Sequence, residues 1–472
     1  MKTKSLLLGI LLLGVCACTG ISPAGMPESS FTNAPAPSFK VSQNDLSTYF
    51  SLKKGISNET KLSQSVTVLP IITNNDTVMY LVNYEEGWEV LSADKRVPVV
   101  LMMCDKGNIT ENELYSNPYQ SDYVEGMKDA ISDLMSGMSI QAFSDEDNWN
   151  GVMPMDESYD TWTPWRLVGN HIDSICKLAD QDHLLRTHWG QSGNWKIKAP
   201  YTSASKITHC PTGCVMVAGS QTLYYLHYRF RVPENTYGDC ICNAYIKERE
   251  KSVKLNSSNC SFPEESLGNM YWDLMPLDKN SSSVSGFAHV SSLMSHLGYL
   301  ISANYSVGST SASTYKLSDA FKYSYSIDSR ISYDYDFDII FNQISKEKLP
   351  CIFAIGRSDG IGHAVVVDGC RHYRVHTMFE YVKNNNRGDI QRMGQQVVTY
   401  KNYIAINWGW DGSADYDSTT KATIWYNAET VNWQDYTEFR YMILNQYNKC
   451  YENNANNGDT DACCTMCFIS IM

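Results

Sequence analysis

The stretch CPTGCVMVAGSQTLYYLHY, residues 210–228, restricts the fold more than any other part of the chain. Pro211 and Gly213 interrupt regular structure, and from Cys214 onward Val215, Ala218, Leu223 and Leu226 repeat at helical spacing. The pattern predicts a helix that opens at Gly213–Cys214. A thiol in that position meets free backbone N–H groups and the positive end of the helix dipole, both of which favour a thiolate. Cys214 is thereby placed for nucleophilic attack, although a buried cysteine acting as a small hydrophobe fits the same stretch equally well. Cys210, before Pro211, reads as a structural thiol or a disulfide partner.

A cysteine nucleophile needs an imidazole to take its proton and return it to the leaving amine. His363 lies in SDGIGHAVVVDGC, where HAVVVDG reads as a buried strand and the preceding glycines let a substrate backbone approach. His183 and His188 stand in loop-like sequence, His227 ends the Cys214 helix, and His289 and His296 fall on the helical stretch FAHVSSLMSHLGYL. All five read as surface or satisfied core histidines. The imidazole needs an orienting partner, and YIAINWGWDG offers Asn407 at a strand end with Trp408 able to shield the contact. Gln191, in THWGQSGNWKIKAPY, supplies a side-chain amide that could join the Cys214 N–H in an oxyanion hole.

Taken in order, WGQ, PY, PTGC, GHAVVVDG and NWGWDG resemble the streptopain family of papain-like cysteine peptidases over roughly residues 181–430. The resemblance implies that Cys214 and His363 are the catalytic pair, Gln191 the oxyanion glutamine, and Asn407 and Trp408 the residues beside the histidine. It implies protein or peptide substrates with an apolar side chain at P2, and calls for no metal or organic cofactor. GWEVLSADKRVPVVL resembles the prodomain or free inhibitor that accompanies such enzymes, which makes residues 41–142 the chain's own intramolecular inhibitor. The chain departs from the family pattern at Pro200-Tyr201-Thr202, at the preceding insertion SGNWKIKA, and in its final 26 residues, YNKCYENNANNGDTDACCTMCFISIM.

Composition sets the surroundings. At 472 residues, 43% hydrophobic and 19% charged, the chain has the make-up of a globular protein with two or three domains. A net charge of −13 opposes nucleic acid or an anionic membrane as the main partner. Lys2 and Lys4 precede LLLGILLLGV, a signal-peptide core, and VCACTG then resembles a lipobox with Cys18 as the lipidated residue. The expected order is a lipoprotein signal peptide (1–18), a flexible tether (19–40), an inhibitory prodomain (41–142), a linker carrying a maturation site (143–180) and a papain-like cysteine peptidase domain (181–472). Within 41–142, Asn75–Asp76 reads as a hairpin turn, and Val124, Met127, Ile131, Leu134 and Met135 mark a helix. Cys450, Cys463, Cys464 and Cys467 suggest a disulfide in the tail.

The expected fold class is α+β: a helical half carrying Cys214, an antiparallel sheet half carrying His363 and Asn407, and a small α+β prodomain ahead of them. The expected function is a cysteine endopeptidase made as a zymogen and exported to the cell envelope or beyond. A catalytically silent surface-binding lipoprotein on a peptidase scaffold is the alternative from another class. Acyl transfer onto an amine, as in a transglutaminase-like enzyme, is the alternative that keeps the chemistry.

Overall fold

Alternating apolar residues and one tight turn start the architecture. The computed structural model describes residues 39–56, 66–138, 149, 166–202, 208–230, 254–255, 271–325, 327–356, 362–384, 390–432 and 438–446. After helix α1 (Gln43–Ile56), strands β1 (Thr67–Thr73) and β2 (Asp76–Asn83) form a hairpin. Its turn is Asn74–Asn75, with φ of 52° and 69°. This is one residue earlier than the sequence suggested: the favoured two-residue turns need φ > 0 at both central positions, which Asn tolerates, and Asp76 is thereby left to pair with Thr73.

Strands β3 (Trp88–Ser92) and β4 (Val100–Cys104) and helices α2 (Glu111–Leu114) and α3 (Pro118–Met135) follow. The predicted stripe of α3 is confirmed, with Val124, Met127, Ile131 and Leu134 buried and Met135 packed at the edge of the same cluster. The stretch 143–180, which reads as irregular, contains a strand, β5 (Arg166–Gln181). Val168, Ile175 and Leu178 on β5 stay exposed while Ala179 and Ile172 meet the cores, so backbone pairing holds much of the strand and no clean alternation marks it in the sequence.

The helical half comprises α4 (Cys214–Phe230), strand β6 (Lys254–Leu255), α5 (Val284–Leu300), the short strands β7 (Asn304–Tyr305) and β8 (Thr310–Ser311), and α6 (Tyr315–Ser324). Strand β9 (Asp328–Ser332), helix α7 (Phe337–Phe341) and strands β10 (Cys351–Gly356), β11 (Gly362–Asn384), β12 (Ile390–Asn407), β13 (Ile424–Asn427) and β14 (Glu438–Gln446) complete the described chain. The main sheet runs β1-β2-β3-β4-β13-β12-β11-β10-β14-β9, with β5 alongside β11. All its neighbours are antiparallel.

One ladder joins the early and late parts of the chain: on β4 and β13, Met102, Met103 and Cys104 pair with Tyr426, Trp425 and Ile424. Helix α3 shares a core with Phe353, Val365, Ile404 and Tyr426, and the described residues from Phe39 onward form one compact unit. The two-residue period of β11 divides the interior, since Val365 and Val367 enter the core with α3 while Ala364 and Val366 enter the core with α4 and α5. The α+β class with a helical half and an antiparallel sheet half is therefore present. Among the described residues no helix is long and apolar enough to cross a membrane. The signal segment, Cys18, most of the tether and the four tail cysteines lie outside the described residues.

Candidate active site

Helix α4 is buried on nearly all sides over its first ten residues, including Val215, Met216, Val217, Ala218 and Leu223, and Cys214 is its first residue. Gly213 makes the entry possible. Its φ is +90°, and a Cβ there would lie 2.9 Å from the Thr310 carbonyl oxygen. The backbone N–H of Ala364, on β11, donates to Cys214 Sγ at 3.4 Å. The thiol therefore lies against the strand residue that follows His363, and the helical and sheet halves meet at the predicted pair.

The buried His363 ring places Nε2 3.0 Å from the Trp408 carbonyl oxygen. The His363 and Trp408 rings lie nearly parallel, 12° apart with centroids at 6.4 Å. Asn407, expected to orient the imidazole, is engaged elsewhere. Its Oδ1 accepts from Gln221 Nε2 at 2.9 Å and from the Gly409 N–H at 3.1 Å, and its Nδ2 donates to the Thr187 carbonyl at 3.0 Å. The Trp408 main-chain carbonyl takes the orienting place, because the chain turns at Gly409 (φ +69°) and brings that peptide up to the ring.

Burial acts against the thiolate that a helix start favours. Burial raises the Cys214 thiol, against the opposing effect of the backbone N–H groups of Ala364, Val215 and Cys214 itself. Burial likewise pushes His363 down to about 4, with the Trp408 hydrogen bond acting the other way. A helix terminus is worth about 0.3–1 kcal/mol and burying an ion several kcal/mol, so desolvation sets the direction of both shifts.

Gln191 is buried, and its carbonyl accepts from the Thr212 N–H at 3.1 Å, which ties its loop to the residue two before Cys214. The insertion after it folds into a 3-10 turn, Gly193–Lys196, and the buried Trp195 donates from Nε1 to Asp411 Oδ1 at 2.6 Å. Of the competing histidines, His183 pairs through Nδ1 with Asp368 Oδ1 at 2.7 Å, and His188 packs on Tyr416. His227 stacks on Trp272, His289 meets Tyr271 edge-on, and His296 Nδ1 contacts the Tyr325 hydroxyl at 2.7 Å.

Two polar residues at the site were not singled out by the sequence reading. Asp415, fully buried, accepts from the Trp408 N–H at 2.8 Å. Gln221, also fully buried, accepts from the Trp189 N–H at 3.1 Å while donating to Asn407. A glutamine seven residues after Cys214 inside an apolar helix was the available signal for the second, since seven residues is about two turns and returns to the same face.

The geometry thus joins a cysteine at a helix start, a histidine on the facing strand and a main-chain acceptor behind it. Residues 189–416 match the Peptidase C10 family. The matched segment contains Gln191, Cys214, His363, Asn407 and Trp408, so the resemblance read from the motifs is shown and supports a cysteine peptidase. Among solved structures the chain is similar to a fragment of Prevotella intermedia prointerpain A carrying a cysteine-to-alanine substitution. The identity is 17%, the TM-score 0.47, and the likeness covers 81% of this chain and 98% of that one. No curated protein matches the chain.

Proposed function

We propose that the chain is an exported cysteine endopeptidase made as a zymogen, lipid-anchored through Cys18, with residues 41–142 as its own inhibitor. The observation that carries the reading is the meeting of Cys214 Sγ with the Ala364 N–H, directly after a histidine whose Nε2 rests on the Trp408 carbonyl. In this reading Nδ1 of His363 is the nitrogen that exchanges a proton with the thiol. In the proposed reaction the Cys214 proton passes to His363 as Sγ attacks the substrate carbonyl carbon. The electron pair moves onto the carbonyl oxygen, which the Gln191 amide and the Cys214 N–H receive. Collapse breaks the C–N bond, and the leaving amine takes the proton from His363. Water then gives a proton to His363 while its oxygen attacks the thioester, and collapse returns Cys214 as the leaving group with that proton.

Residues 41–142 are continuous with the later chain. They extend its sheet at β4–β13, and Asp105 pairs with Arg371 at 2.5 Å. The test is digestion of a denatured protein substrate by the chain, before and after a trace of trypsin, with and without an added primary amine, beside Cys214→Ala. The proposal expects new carboxyl termini, more of them after nicking, and none with the variant. Amine incorporation in place of hydrolysis would establish acyl transfer, and no product in any arm would favour the silent binding protein.

A further inference from the structure

Apart from His363 on β11, the residues assigned to the site sit on three segments: α4 with Cys214, the 189–191 loop with Gln191, and the exit of β12 with Asn407 and Trp408. The side chain of Gln221 connects all three. It projects from α4, its Oε1 accepts from the Trp189 N–H at 3.1 Å, and its Nε2 donates to Asn407 Oδ1 at 2.9 Å. The same Asn407 oxygen accepts from the Gly409 N–H at 3.1 Å. In a planar trans peptide the N–H and C=O point to opposite sides. Holding the Gly409 N–H toward Asn407 therefore turns the carbonyl of that peptide, Trp408, away from Asn407 and onto His363 Nε2, 3.0 Å away.

We propose that Gln221 is a positioning residue: through Asn407 it aims the Trp408 carbonyl at His363, and through the Trp189 N–H it registers the Gln191 loop against the nucleophile helix. The inference rests on the cysteine peptidase reading. Only a carboxamide meets both demands, because one atom must donate to Asn407 while the other accepts from Trp189. Glutamate lacks the donor and would set a second oxygen against Asn407 Oδ1. Asn407 keeps a part in the reaction on this view, acting on the imidazole through a peptide plane rather than by touching it.

The experiment compares wild type with Gln221→Glu, Gln221→Met and Asn407→Ala in trypsin-nicked full-length protein, each normalised to the Cys214 thiol titrated by iodoacetamide. The readouts are kcat, KM, and the pH dependence of both peptide cleavage and Cys214 alkylation. A misdirected carbonyl no longer steadies the imidazolium, so the thiolate becomes harder to form and Cys214 alkylation should set in at higher pH. Per titrated thiol, kcat should fall roughly 10- to 100-fold, with KM changed by about twofold at most. A merely structural role would reduce the titratable fraction but leave kcat per thiol and the pH at which alkylation sets in where they are, and that result overturns the proposal. Should Gln221→Glu fail to fold, Gln221→Met and Asn407→Ala decide by the same criterion, since each removes the same link. If wild type neither cleaves peptide nor alkylates at Cys214 at any pH, the peptidase reading itself fails and this inference goes with it.

Discussion

Gly213→Ala is the substitution whose consequences the geometry defines most closely. The residue has φ +90°, and an added Cβ would lie 2.7 Å from Met216 Cε and 2.9 Å from the Thr310 carbonyl oxygen. The methionine end can move aside. The Thr310 backbone is less free, because its hydroxyl donates to the Pro211 carbonyl at 2.6 Å and ties β8 to the loop being altered. A left-handed conformation costs an alanine about 1–2 kcal/mol. Overpacking against backbone adds about 1–3 kcal/mol. The sum, roughly 2–5 kcal/mol, corresponds to a fall in Tm of about 2–5 °C for so large a unit. If the strain is relieved by moving the start of α4, a shift near 1 Å at Sγ lowers kcat/KM by roughly 100-fold. Gly137→Ala separates the two contributions, since Gly137 has φ +93° with nothing within 4 Å of an added Cβ. Thermal melts and iodoacetamide alkylation of Cys214 should show a small loss of stability and unchanged reactivity for Gly137→Ala, and losses in both for Gly213→Ala. Equal melting and equal Cys214 reactivity in wild type and Gly213→Ala would refute the reasoning.

The buried His183–Asp368 pair sets a pH dependence of stability. Burial depresses His183, but the charge and hydrogen bond of Asp368, with Asp415 and Asp182, outweigh it and hold the group at about 9 against an ordinary 6.5. Stability of about 3 kcal/mol is then fully present below pH 6.5 and lost as pH rises through 9, which Tm measured across that window should show. Asp368→Asn should remove that slope and cost about 3–5 kcal/mol at neutral pH, and a persisting slope would refute the assignment. Cutting within residues 143–165 should leave the N-terminal fragment bound. The β4–β13 ladder, the α3 core and the hydrogen bond from Asn427 Nδ2 to the Val100 carbonyl at 3.0 Å remain after the cut. Gel filtration should show the fragments eluting together in buffer and apart in denaturant, and separation in buffer alone would contradict the shared core.

The parts of the fold legible in the sequence were those where one residue's neighbours determine its state. The start of α4 was readable because Pro211 and Gly213 break the chain just before an apolar helical stripe, and the stripe of α3 because its period is unbroken. His363 was readable because glycines precede a strand too apolar to be exposed. What was not legible depends on partners distant in sequence. β5 carries exposed apolar residues and forms by pairing with β11, about 200 residues later, so its own pattern is silent. The role of Asn407 could not be read from NWGWDG, because it depends on Gln221, 186 positions away, having claimed its carboxamide. The upward shift of the Cys214 thiol depends on burial, which a helix-terminus argument does not include.

The most direct test of the central claim, that Cys214 and His363 form one reactive pair, is intact-mass labelling of trypsin-nicked protein with a peptidyl thiol electrophile. Wild type, Cys214→Ala and His363→Ala are compared across pH. The account predicts one label per wild-type molecule, mapped to Cys214, and none on Cys214→Ala. For His363→Ala it predicts a label that appears only as pH rises into the range where an unassisted thiol ionises, about 8.5 and above. Labelling of Cys214 at the same rate and pH in His363→Ala as in wild type would contradict it.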